Sequence, residues 1–229
     1  MSPIRTALFF QDGNFIGREY FSRLVHAGRT PDLLVCVGRM TPESIEIEKI
    51  RTAGRWNPPS LPANAPIHRY DRLADEAIPV LLKAERIDVA IQGGVGLLKN
   101  PLISTPKFGF LNPHPGRLPQ YRGSSCPEWA IWNGDPVVIT AHVVDEGLDS
   151  GPLVHAGAMP IKSDWDYHDF RANLYGHCAT VLIEALNKIE KTDRADWDAL
   201  KAPQPDTPGL RPLQRIPDEK LAEIGRAHV

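Results

Sequence analysis

Apolar residues along the chain fall into short runs separated by stretches of helical period. Residues 5–10 are one such run. They are followed by Gln11-Asp12-Gly13-Asn14 and then by Phe15, Tyr20, Leu24 and Val25 at 3.6-residue spacing, which predicts strand, turn and helix. Residues 33–37 form a second strand candidate and 67–70 a shorter third, with the Pro-rich stretch 57–66 between them read as loop. Residues 75–84 read as an amphipathic helix whose first turn, or a kink, falls at Pro79. Residues 87–91 and 108–111 give a fourth and a fifth strand. Strands alternating with helices in this way predict an α/β fold with a doubly wound, mostly parallel sheet.

The second half continues the pattern less regularly. A Pro/Gly-rich loop runs over residues 112–125, and a helix is expected at 127–133 with Pro127 in its first turn. Residues 137–144 and 153–161 read as two more strands joined by the 145–151 loop, and residues 166–189 as the longest helix. Beyond Lys191 the chain turns polar, is Pro-rich over 202–217, and carries a short helical pattern at 218–226. The expected division is a catalytic domain over 1–190 and a Pro-rich C-terminal extension over 191–229. The chain has no internal repeat.

Composition narrows the class. At 229 residues the chain can bury one sizeable core, while two full domains would be cramped. A net charge of -2 supplies no general attraction for nucleic acid, so a tRNA partner starts disfavoured. The apolar runs fall far short of the roughly 20 residues a membrane span needs, and the N-terminus has no signal-peptide pattern, so a cytoplasmic location is expected. Cys36, Cys126 and Cys178 form no Cys-x-x-Cys pair and read as reduced thiols.

Ligands in open α/β sheets lie beyond the carboxyl ends of the strands, and two polar clusters fall there. Asn112-Pro113-His114-Pro115 follows the fifth strand, and Asp145-Glu146-Gly147-Leu148-Asp149-Ser150-Gly151 joins two later ones. Taken alone, Asn112 is a turn former, His114 a loop histidine and Asp149 a turn acid. Together, carboxamide, imidazole and carboxylate suit acyl transfer without a covalent nucleophile: Asn and a protonated His donate to an oxyanion, and the carboxylate tunes the imidazole or accepts a proton from the attacking group. His114, His142, Asp145, Glu146 and Asp149 lack metal-ligand spacing, so no metal is expected.

The segment Phe110-Leu111-Asn112-Pro113-His114-Pro115-Gly116-Arg117-Leu118-Pro119-Gln120-Tyr121-Arg122-Gly123 resembles the Asn-x-His-Pro-x-x-Leu-Pro signature of the folate-dependent formyltransferases, and Val144-Asp145-Glu146-Gly147-Leu148-Asp149-Ser150-Gly151-Pro152 resembles their second signature. The resemblance is clear over residues 85–161 and diffuse over the rest of 1–190. It implies a Rossmann-like formyltransferase fold, 10-formyltetrahydrofolate as formyl donor, and Asn112, His114 and Asp149 as catalytic residues, with His142 in support. It also implies a folate pocket on Val95, Gly96, Leu97, Leu98, Val144, Asp145, Glu146, Gly147 and Leu148. Gly93, Gly94 and Gly96 would let a flat ring approach the main chain, although the cluster is not a dinucleotide fingerprint.

The acceptor must be read from what surrounds this shared core. Methionyl-tRNA formyltransferases add a C-terminal domain for which little chain remains after the long helix. The glycinamide ribonucleotide enzymes open with a Gly-rich turn where this chain has Gln11-Asp12-Gly13-Asn14-Phe15. The Tyr121-Arg122-Gly123 turn and the Pro127-Glu128-Trp129-Ala130-Ile131 helix start resemble the sugar and tRNA branches. The expected partner is therefore a small-molecule amine, foremost a nucleotide-linked amino sugar, with no nucleic acid and no membrane, and with a homodimer left open. Glycinamide ribonucleotide or methionyl-tRNA as acceptor, a hydrolase releasing formate, and a non-catalytic folate-binding protein are the alternatives.

Overall fold

The computed structural model describes residues 3–207 and 211–224. Its first half runs β1 (Thr6–Asp12), α1 (Phe15–His26), β2 (Leu33–Arg39), α2 (Pro42–Arg51), β3 (Ile67–Tyr70), α3 (Ala77–Ala84), β4 (Val89–Gln92) and β5 (Gly109–His114). The second half adds α4 (Cys126–Trp132), β6 (Val138–Val143), β7 (Leu153–Ala158), α5 (Tyr167–Lys191), a 3-10 helix (Arg194–Leu200) and α6 (Asp218–Ile224). The last two residues of the helical pattern at 218–226 lie outside the described residues.

Seven strands form one sheet in the order β3-β2-β1-β4-β5-β6-β7. The four pairings from β3 to β5 are parallel, whereas β5 with β6 and β6 with β7 are antiparallel. Alternation along β1 shows why the sheet is covered on both faces: Ala7 and Phe9 pack with Ile78 and Leu82 of α3, while Leu8 and Phe10 pack with Tyr20 and Leu24 of α1 and with α5. The longest helix, α5, lies across the second face. Asp166 caps it, accepting from Asp169 N at 2.8 Å while Asp169 Oδ2 accepts from Asp166 N at 3.3 Å, a reciprocal capping box.

Two features differ from the pattern-based expectation. Helix α2 buries no residue, so no apolar stripe announces it; Thr41 caps it by accepting from Ser44 N, and Pro42 occupies its first turn. The fifth strand also extends through Asn112 and His114, which were expected in the loop beyond it. The segment after α5 packs back on the sheet: Trp197, Ile216 and Ile224 are buried in the same core as β5 and α5.

The packing makes a direct comparison possible. Leu174→Ala on α5 removes a fully buried side chain and should cost about 2–5 kcal/mol, whereas Val80→Ala, at an exposed position of α3, should stay within about 0.5 kcal/mol. Urea denaturation of both variants measures the difference, and equal losses would contradict this account of the core.

Candidate active site

The site begins where β4 stops. Strand β5 pairs with β4 only as far as Ile91↔Leu111, yet it stays paired with β6 through Asn112↔His142 and His114↔Thr140. Phe110 O accepts from Val144 N at 2.8 Å, so residues 110, 112 and 114 bond towards β6. Pro113, which has no N–H, therefore faces the side that β4 has vacated, where no ladder bond is lost. Asn112 and His114, two residues apart on one strand, project from the same face.

Direct cross-strand pairing places Asn112 Nδ2 3.1 Å from His142 Nε2. His142 Nδ1 lies 3.1 Å from the Val143 carbonyl, which only accepts, so Nδ1 carries the proton and Nε2 accepts from the carboxamide. Burial, reinforced by the neighbouring His114, pushes His142 down to about 4, outweighing the opposing pull of Asp149. The ring is neutral at pH 7, and its 3.8 Å approach to Asp149 Oδ1 is a contact of a neutral ring with a carboxylate, not an ion pair. His142 thus fixes the Asn112 amide and leaves its second N–H free to donate.

His114 is almost fully buried. Its Nε2 donates to the Tyr121 carbonyl at 2.7 Å, and its Nδ1 faces Asp149 Oδ2 at 3.6 Å. Asp149 comes from the loop between β6 and β7. It adopts a left-handed backbone (φ 51°), and its Oδ2 also accepts from Gly123 N at 2.9 Å. The loop re-enters β7 through Gly151, where a Cβ would sit 1.8 Å from the Val143 carbonyl oxygen, so only glycine fits. The Cys126 thiol nearby is pushed up by burial and by the Asp149 and Glu128 carboxylates, which makes it a poor nucleophile.

A cleft of about 80 Å³ lies between residues 92–99 and 142–149. Gly96, Leu97, Leu98, Val144, Asp145, Glu146, Gly147 and Leu148 line it, together with Asn112, His142 and Asp149. Val95 is not among the lining residues, and its side chain is buried in the core beneath. Gln92 and Lys99 are lining residues that the motifs did not single out. Gln92 Nε2 holds the Gly96 carbonyl at 2.9 Å, and Asn100 Nδ2 ties one wall to the other through Glu146 Oε1 at 2.9 Å. Leu97 and Lys99 also border a cavity of about 450 Å³ formed with Leu73, Asp75, Glu76, Pro79 and Leu102. His114 instead lines a third cavity, of about 320 Å³, with Ser124, Ser125, Glu128 and Arg171. The His114–Asp149 pair therefore spans the wall between the cleft and this third cavity.

Among the described residues no cluster of His, Cys, Asp and Glu side chains is arranged to hold a metal ion, and no helix is long and apolar enough to cross a membrane. The chain matches the family described as formyl transferase over residues 17–186. Proteins similar in sequence include the methionyl-tRNA formyltransferase of Deinococcus radiodurans, 32% identical over 53% of this chain and 39% of that protein. The methionyl-tRNA formyltransferase of Caldanaerobacter subterraneus is 37% identical over 48% of this chain and 35% of its own length. The chain thus spans well under half the length of the curated relatives it matches. In fold it is similar to glycinamide ribonucleotide transformylase 1 from Geobacillus kaustophilus (TM-score 0.59, 24% identity, covering 82% of this chain and 100% of that one). It is also similar to a sugar N-formyltransferase from a Shewanella species (TM-score 0.54, 16% identity, covering 93% and 78%).

The neutral His142 has a consequence for stability. The unfolded chain takes up its proton near 6.5 and the folded chain only near 4, so between those values the unfolded state binds more protons. The contribution is whole above pH 6.5 and is lost as pH falls towards 4, with a slope of up to about 1.4 kcal/mol per pH unit. Denaturation curves across that window should show the loss, and His142→Gln should flatten it. An unchanged slope in the variant would contradict the assignment.

Proposed function

We propose that this chain, which belongs to the formyl transferase family, moves a formyl group from 10-formyltetrahydrofolate to a primary amine. The observation that carries the reading is the placement of Asn112, His114 and Asp149 at the junction of two cavities. The cleft offers backbone groups at Gly96, Leu97 and the 144–148 segment, which suit a flat pterin, and it shares Leu97 and Lys99 with the larger cavity of mixed lining, which would take the rest of a folate. The folate would supply the activated formyl carbon, and the amine would approach from the His114 side.

In this reading the second Asn112 N–H donates to the oxygen on which charge develops as the amine attacks; the Tyr121 carbonyl occupies His114 Nε2, so it is His114 Nδ1, at 3.6 Å from Asp149 Oδ2 and beyond hydrogen-bond distance, that is left to donate to the same oxygen. Asp149 receives the amine proton directly or through water, and as the tetrahedral adduct collapses its bond to the folate nitrogen breaks and that nitrogen takes up the proton, leaving tetrahydrofolate and the formylated amine. His142 acts only through Asn112, by orienting its amide.

For the acceptor, the relatives at 32% and 37% identity carry the name methionyl-tRNA formyltransferase, and their names support a tRNA-linked amine. Likeness to the glycinamide ribonucleotide and sugar enzymes lies below 25% identity and speaks for the fold. The amino-sugar expectation thus has weaker support than methionyl-tRNA, and a tRNA acceptor would have to be gripped by local contacts, given the net charge of -2.

The deciding experiment supplies 10-formyltetrahydrofolate with methionyl-tRNA, glycinamide ribonucleotide and a panel of amino nucleotide sugars, and reads the products by mass spectrometry. One formylated amine is expected; free formate alone would mark a hydrolase. With the acceptor in hand, His114→Ala, Asn112→Ala and Asp149→Asn should each lower kcat by about 10² or more, and their combination by far less than the product of the single losses. Near-normal turnover by His114→Ala would overturn the mechanism. A folate at 100 times its Kd should stabilise the wild type and all three variants by about 2.7 kcal/mol, because none of the substitutions touches the 96–98 or 144–148 walls of the cleft.

A further inference from the structure

Two parts of the chain have no role in the proposed chemistry: the Arg122-Gly123 turn, and the segment beyond α5, which lies outside the family match of residues 17–186. Both converge on Asp149. The Gln204 carboxamide donates from Nε2 to the carbonyls of Asp149 and Gly151, each at 2.8 Å, while its Oε1 accepts from Arg122 Nε at 3.1 Å. Gly123, the next residue, donates its N–H to Asp149 Oδ2 at 2.9 Å. A closed ring results, running from the Asp149 side chain through Gly123, Arg122 and Gln204 back to the Asp149 backbone.

The segment carrying Gln204 is tied down on both sides. Ala202 exchanges backbone hydrogen bonds with Leu153 at 2.7 and 2.9 Å. Leu213 N donates to the Arg122 carbonyl at 2.6 Å, and Ser124 N donates to the Leu213 carbonyl at 2.9 Å. The contact is close: a Cβ on Gly123 would sit 2.4 Å from Leu213 O, and Gly123 has φ +100°. The ring holds Asp149 at both ends, its backbone carbonyl through Gln204 and its carboxylate through Gly123, in a left-handed conformation that costs an aspartate less than most residues but is still not its extended or helical minimum.

We infer that the segment after α5 is a buckle that completes the catalytic site, with Gln204 as a positioning residue that acts through the backbone of residues 149–151 to aim the Asp149 carboxylate. The inference rests on the formyl-transfer reading for its effect on turnover. Its structural half does not.

The test uses the full chain with Gln204→Glu, which keeps an acceptor for Arg122 but removes both donors to the loop, and Gln204→Leu, which removes everything. Amide exchange at Gly123, followed without substrate, should quicken at least tenfold in both, while Val143 in β6 keeps its protection. With the acceptor that the wild type formylates, kcat should fall at least tenfold and KM for 10-formyltetrahydrofolate should stay within twofold. Unchanged Gly123 exchange, or wild-type kcat in Gln204→Glu, overturns the inference. So does exchange that quickens equally at Gly123 and Val143, which would mark a general loss of stability. If Gln204→Leu does not fold, Gln204→Glu decides. A wild type that formylates no amine refutes the functional reading, and Gly123 exchange then still judges the buckle.

Discussion

Beyond Leu111 the fifth strand has lost its parallel neighbour and kept its antiparallel one, and the site follows from that asymmetry. The end of β4 leaves one edge of β5 free, so a proline is tolerated there and a cleft can open. The β6 ladder meanwhile holds the backbone straight enough to set Asn112 opposite His142 and to bring His114 to the same face. A loop carrying the same residues would not fix the carboxamide to within hydrogen-bond distance of a neutral ring. Strand pairing supplies that rigidity, and rigid elements position reacting groups better than loops do.

The electrostatics build on this frame. Two histidines and one aspartate share a space nearly closed to water, and they divide the roles through what each ring nitrogen faces. His142 has a carbonyl at one nitrogen and an amide donor at the other, an arrangement that suits the neutral ring. His114 has a carbonyl at one and a carboxylate at the other. Similar side chains thereby meet different partners: the His142 ring accepts from and orients Asn112, while the His114 ring sits between Tyr121 and Asp149.

The cleft is made of segments inside the family match, and so, apart from Arg215, is the cavity on the far side of His114. That cavity contains a buried Glu128 bonded to Tyr167 and Arg171. In the proposed reading the amine enters there, and its selection would rest on those side chains.

How much of this was legible beforehand differs from element to element. The alternation of apolar runs and helical periods was enough for the parallel half of the sheet, because burying a strand on both faces demands those patterns, and β3 matched its expected bounds of 67–70. Two short motifs carry Asn112, His114 and Asp149, and the structure brings these three side chains together with His142. Helix α2 was not legible, as it buries nothing, nor was the burial of Val95, because one apolar residue in a glycine-rich turn can point to the core or to the cleft. The sequence by itself determined which residue types are present and the order in which strands and helices form. Only the tertiary structure decided that Asn112 faces His142, 30 residues away, and that Gln204 reaches Asp149 across 55, because such pairings depend on strand register and chain path rather than on local sequence.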